Sequence, residues 1–255
     1  MKALTSSGKQ SFFPFILQHQ LCIIISMKQA EILQAKAYEH IRNMIISGSF
    51  QFDTVYSESG LARELGISRT PVRDAIQKLS SEGYIDILPS RGFVLHSLNL
   101  SEALQLLNVR SAIEGFCCYN AVSSLEKKEF DELIKVLEDS IKRQKEFQKS
   151  SSDKDIVAFV NEDMAFHYFL IKASKNSFFK DTFAHYNFLN QQATDRTLHT
   201  ENRMLVTIRE HDKIVESMKN GSPMDAYNAL IEHMSSTEKL ILTLFNNNPV
   251  RNSFL

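Results

Sequence analysis

Asp163 and His167 lie four residues apart, so a helix through Asp163-Met164-Ala165-Phe166-His167 puts a carboxylate and an imidazole on one face. His211, directly after Glu210, falls on a later helical stretch, and His233 lies on the last one. Three neutral imidazoles and one carboxylate suit a divalent transition ion such as zinc, nickel, iron or manganese. Facing helices of a bundle can project such ligands inward. Taken singly, each histidine reads as an ordinary surface or core residue, and nothing around His185 or His199 suggests a site. Arg110 lies on an earlier helix. It could pair with a carboxylate of a bound acid or with Glu114, one helical turn on; the residues alone leave both readings open.

A second constellation lies upstream. Leu61-Ala62-Arg63-Glu64-Leu65-Gly66 reads as a short helix ended by glycine, and Ser68 is placed to cap the next one, with Pro71 in its first turn. Ile67 and Val72 are expected to hold the two helices together. The pattern is a helix-turn-helix, which presents the first residues of its second helix to base edges. Those residues are Ser68, Arg69, Thr70 and Arg73. An arginine can take guanine bidentately in the major groove, while Ser and Thr suit phosphates or bases.

Around these residues the elements follow from periodicity. Ile32, Leu33, Ala37, Ile41, Ile45 and Ile46 recur at helical spacing over 30–47, and Gly48 stops them. After Gly83, the stretch Tyr84 to Leu88 alternates as a strand, Pro89-Ser90-Arg91-Gly92 makes a turn, and Phe93-Val94-Leu95 is a second strand. Three helices and a hairpin make a winged helix over 27–97, with Arg91 and Gly92 at the wing tip, placed to approach the DNA backbone or minor groove. Beyond Leu98 the strand signal ends. Ser101 is expected to cap a helix to about Val122, and further helices are expected at 126–148, 154–174, 177–198, 202–219 and 223–245. Residues 98–255 thus read as an all-helical bundle with room for a pocket, its phenylalanines (159, 166, 169, 178 and 183) in the core. The fold class is mainly α.

Composition narrows the field without choosing a partner. Hydrophobic residues are 43% and charged residues 23% of 255, as in an ordinary globular chain. The net charge is −1, and 27–97 holds eight Lys/Arg against eight Asp/Glu, so the case for DNA rests on motif and geometry. The three cysteines have neither knuckle nor disulfide spacing, which fits reduced thiols in a cytoplasm. Residues 12–25 are apolar but interrupted by Gln18-His19-Gln20, too short for a membrane span. Residues 1–26 read as a leader, a disordered tail or upstream translation, with the body starting at Met27.

Gly66-Ile67-Ser68-Arg69-Thr70-Pro71-Val72-Arg73-Asp74-Ala75, followed by Leu79, Glu82-Gly83-Tyr84 and Arg91-Gly92, closely resembles the GntR family of bacterial regulators over about residues 35–95. Some members carry an arginine early in the first helix of the motif; this chain has Ser57, Glu58 and Ser59 there. Arg110 to Glu114, Asp163 to His167, Glu210-His211 and His233 resemble, in order and spacing, the FadR-type C-terminal ligand-binding (FCD) domain over about residues 100–240. The resemblance implies a homodimer on a short palindromic operator of double-stranded DNA. It also implies a metal held by Asp163, His167, His211 and His233, and a small carboxylate effector at that metal, with repression relieved by ligand. Two rivals stand beside it. One is a metal-dependent hydrolase, for which no general base beyond Glu210 and no nucleophile motif is visible. The other is a constitutive DNA-binding protein whose helical domain is purely structural.

Overall fold

The computed structural model describes residues 13–149 and 152–247. The chain divides into two compact units, Met1–His96 and Ser97–Leu255.

In the first unit, α1 (Phe13–Ile46), α2 (Glu58–Leu65) and α3 (Arg69–Ser81) precede the antiparallel pair β1 (Ile85–Leu88) and β2 (Gly92–Leu95). The sequence reading starts α1 at residue 30. In the structure it starts at Phe13, because no glycine or internal proline interrupts the run and Pro14 falls in the first turn, where no N–H is needed. Residues 13–26, set apart above as a leader, are therefore helical here, and residues 1–12 of that leader lie outside the described residues. The core of the unit comes from the inward stripe Ala37, Ile41 and Ile45 of α1 against Val72, Ile76 and Leu79 of α3. Ile32 and Ile46, expected on that stripe, are exposed. Residues three and four apart share a face, and 37, 41 and 45 keep that register whereas 46 leaves it.

Ser57 caps α2 by accepting a hydrogen bond from the Gly60 N–H. At the other end Gly66 adopts a left-handed conformation (φ 66°). Its N–H bonds the Arg63 carbonyl and the Ile67 N–H bonds the Ala62 carbonyl, the double closure that ends a helix tightly and lets α3 leave at the required angle. Ser68 has the extended backbone of an N-cap but makes no side-chain capping bond. The wing carries a third rung: Tyr56 and Phe93 exchange backbone hydrogen bonds of 2.8 and 2.9 Å. Gly92 (φ 123°) passes so close to this rung that a Cβ would lie 2.0 Å from the Tyr56 carbonyl oxygen.

In the second unit the described residues form α4 (Leu100–Ser124), α5 (Lys127–Phe147), α6 (Asp153–Ala173), α7 (Ser177–His185), α8 (Asn187–Leu198), α9 (Arg203–Lys219) and α10 (Pro223–Asn247). The start of α4 differs from expectation. Asn99, not Ser101, is the cap, because Asn99 and Glu102 bond each other's backbone N–H groups, both at 2.9 Å, in a capping box. The single helix expected over 177–198 breaks at Tyr186, which leaves helical geometry (ψ 9°) in a stretch with neither Gly nor Pro. Packing runs α10 along α4, α6 along α5, and α9 against both α5 and α10. Leu137, Phe159, Phe166, Leu170 and Ile214 are wholly enclosed. Phe178 is the exception among the expected core phenylalanines: at the first turn of α7 it is 80% exposed. None of the described helices is long and apolar enough to cross a membrane.

Candidate functional site

Helices α6, α9 and α10 bring His167, His211 and His233 together. Each offers a ring nitrogen, and these atoms all lie within 4.8 Å of one another. All three rings are buried, His167 and His211 completely. Their spacing to Asp163 is equally tight: Oδ2 lies 3.9 Å from His167 Nε2 and Oδ1 lies 3.7 Å from His211 Nε2. Ligands bonded at about 2.0–2.2 Å to one ion stand about 3–4 Å apart, so these separations fit a shared centre. His185 and His199 do not belong to this cluster.

What orients the rings is the outer nitrogen of each. His167 Nδ1 lies 2.5 Å from Glu114 Oε2, His211 Nδ1 lies 3.0 Å from Gln144 Oε1, and His233 Nδ1 lies 2.8 Å from Glu210 Oε2. Each partner is an acceptor, so each Nδ1 donates, and in a neutral ring that assignment leaves the lone pair on Nε2. The Nε2 atoms of His167 and His211 are buried and have no hydrogen-bond partner. Burying two acceptors unsatisfied is costly, and a bound cation would remove that cost. The Phe166 ring stacks on His211 at 3.9 Å, nearly parallel, and closes the remaining freedom of that imidazole.

Charge in the site matches ligand duty. Burial, then the neighbouring His233 and His167, push His211 well below its ordinary value; burial likewise lowers His233 against the opposing pull of Glu210. Both rings are therefore neutral and ready to donate an electron pair. Burial pushes the Glu114 carboxyl up, but Arg110 and His167 outweigh it and hold it at about 2. For Glu210, burial acts in the same upward direction, and the bond and charge of His233, together with Ser236 and Arg203, outweigh it.

Of the two readings of Arg110, the structure shows the ion pair with Glu114. Arg110 Nε donates to Glu114 Oε1 at 2.8 Å, one turn on, while its Nη2 is buried without a partner. Arg110 and Glu114 line a small cleft with Tyr186 and Asn190, whose Oδ1 also lacks a partner. An anion with a neighbouring donor group would satisfy both. Gln144 escaped the sequence reading, although a signal was there: it continues the apolar stripe Leu137, Ile141 of α5 as a polar residue, and it is fully buried. Arg203, which steadies Glu210 at 3.1 Å and donates to Ser236 and Thr237, carried no such mark.

In the first unit Ser68, Arg69, Thr70 and Arg73 are exposed at the start of α3, and Arg91 is exposed at the wing tip. Leu88 to Arg91 forms a turn closed by the Arg91 N–H to the Leu88 carbonyl at 3.0 Å, with Ser90 left-handed (φ 62°). Val72 is buried as expected, whereas Ile67 is half-buried. The need for glycine at 92 arises from the Tyr56 carbonyl, which leaves no room for a Cβ. The carboxylate of Glu58, at the start of α2, reaches both recognition-helix arginines: Oε2 lies 3.2 Å from Arg73 Nε and 3.8 Å from Arg69 Nη2.

Residues 33–95 match the family of bacterial regulatory proteins of the gntR type, and residues 105–236 match the FCD domain. The uncharacterized HTH-type transcriptional regulator YdhC of Bacillus subtilis (strain 168) is 24% identical over 78% of this chain and 86% of its own length. The gluconate operon transcriptional repressor of the same organism is 32% identical over 56% of this chain and 55% of its own. Among solved structures, a GntR regulator from Rhodococcus sp. RHA1 aligns with a TM-score of 0.66 at 16% identity, covering 82% of this chain and 97% of that one. The E. coli protein McbR/YncC aligns with a TM-score of 0.60 at 17% identity, covering 84% and 99%. These likenesses carry the fold, and the matched families and relatives are transcriptional regulators, not enzymes.

Proposed function

Since the chain belongs to the GntR family of bacterial transcriptional regulators and carries an FCD domain, we propose that it is a repressor. Its grip on DNA is set by a small carboxylate bound at a metal in the helical unit. The observation that carries the sensing half is the convergence of three buried imidazoles, each with Nδ1 tied to an acceptor, on one point beside Asp163. His167, His211, His233 and Asp163 would hold a divalent transition ion, and the ion would supply open positions for a carboxylate. Outer acceptors of this kind orient metal ligands and raise their basicity. Arg110 Nη2 would take a further oxygen of the acid, with Glu114 holding the guanidinium in place.

The DNA half belongs to Ser68, Arg69, Thr70 and Arg73 in the major groove, with Arg91 and Gly92 bringing the wing to the backbone. Two copies on a palindromic operator must match their recognition helices to half-sites about one helical turn apart. Ligand binding that shifts the helical bundle would change that spacing and release the operator in the cytoplasm. The test is operator affinity, measured with metal-loaded protein, with and without a panel of small hydroxy and dicarboxylic acids. Gluconate comes first, since it names the operon of one relative. One acid that binds should weaken operator binding by about five- to 150-fold, the usual range of coupling between sites. An acid that binds the site and leaves operator affinity unchanged refutes the coupling.

A further inference from the structure

Resting on the reading of the α3 N-terminus as the DNA-reading face, we propose that Glu58 is a positioning residue that sets operator specificity by holding Arg73. Glu58 stands in the first turn of α2, and its carboxylate turns toward the recognition helix. Its Oε2 accepts from Arg73 Nε at 3.2 Å and lies 3.8 Å from Arg69 Nη2. The arginine side chains remain 55% and 62% exposed while that of Glu58 is 20% exposed. An ion pair so open adds little to folding. Its consequence lies in geometry. A free arginine side chain loses rotamer freedom when it docks on a base. With Nε already engaged, the guanidinium plane is fixed and both Nη groups stay available for the two acceptors of guanine. The same carboxylate repels phosphates, so it weakens binding that depends on backbone charge alone. Both effects raise the ratio of operator to random binding, one by easing the correct contact and the other by opposing the wrong ones.

The experiment uses full-length protein and an operator selected by it from random duplexes. Affinities for that operator and for a scrambled duplex are measured by fluorescence anisotropy across a salt series, for wild type, Glu58→Ala, Glu58→Gln, Arg73→Ala and the Glu58→Ala/Arg73→Ala double variant. In Glu58→Ala, scrambled DNA should bind more tightly with a steeper salt dependence, and the operator-to-scrambled ratio should fall by about five-fold or more. Glu58→Gln, isosteric and still an acceptor, should fall between and guards against misfolding of the alanine variant. In the Arg73→Ala background, removing Glu58 should lower the ratio by much less than in the wild-type background, because only the phosphate repulsion is then lost. A ratio preserved in both Glu58 variants, or one that falls equally in both backgrounds, overturns the proposal. An Arg73→Ala variant that keeps full operator affinity overturns the reading of the face itself, and the inference falls with it.

Discussion

Glu114 Oε2 lies 2.5 Å from His167 Nδ1, and both side chains are completely buried. The other carboxylate oxygen holds Arg110, so one acid orients a candidate metal ligand and a candidate effector contact together. Glu114→Gln keeps the shape but removes the charge. Loss of such an outer partner should lower metal affinity by about 10- to 100-fold, read by competition with a coloured chelator. Glu114→Ala leaves the Arg110 charge buried and unpaired. It should cost about 3–5 kcal/mol of folding stability in urea denaturation. An alanine variant as stable as wild type would show that the triad is not a buried charge network.

Acid should destabilise the metal-free protein in two stages. His211 and His233 sit below the ordinary 6.5 when folded, so the unfolded chain takes up protons first and stability falls as the pH drops through about 6.5. Glu114 is held at about 2, so its contribution is complete above its unfolded value of 4.5 and is lost as the pH falls toward 2. Melting temperature recorded without metal from pH 8 to 4 should therefore decline from near neutrality downward. A flat or rising profile below pH 6.5 contradicts the buried, neutral histidines.

On the DNA side, the proposed base-edge role of Arg73 predicts that Arg73→Ala weakens operator binding by about 1–3 kcal/mol and relaxes base preference at one position of each half-site. Arg91→Ala should instead weaken binding to all sequences alike and reduce the salt slope by about one, as loss of a phosphate contact does. Footprints and salt titrations of the two variants separate these outcomes, and an unchanged footprint for Arg73→Ala removes it from the reading face.

Gly92→Ala distinguishes structure from recognition at the wing. An added Cβ would lie 2.0 Å from the Tyr56 carbonyl at a φ of 123°, so the hairpin must give way. A strained backbone of this kind costs about 1–3 kcal/mol. The melting temperature should fall, and DNA affinity should fall with it. Lost DNA binding with unchanged stability would assign Gly92 to a direct contact.

The parts of this molecule governed by local chemistry were legible in the chain. Gly66 between two amphipathic stretches announced the turn before α3, and the four-residue step from Asp163 to His167 announced a shared helix face. The parts set by tertiary packing were not. Gln144 comes to anchor His211 because α5 lies against α9, which no local pattern of α5 states. Phe178 looked like core by residue type, yet it sits at the exposed first turn of α7. Asn99 outcompeted Ser101 as cap because only Asn99 has a glutamate three residues on to complete the reciprocal pair.

The most direct test of the central claim is native mass spectrometry of chelator-stripped protein titrated with zinc, nickel or manganese, alongside His211→Ala and His233→Ala. The expected result is a dimer that takes up one ion per chain, with uptake abolished or strongly reduced in both variants. Failure to take up any ion, or equal uptake by wild type and the two variants, contradicts a metal centre at His167, His211, His233 and Asp163.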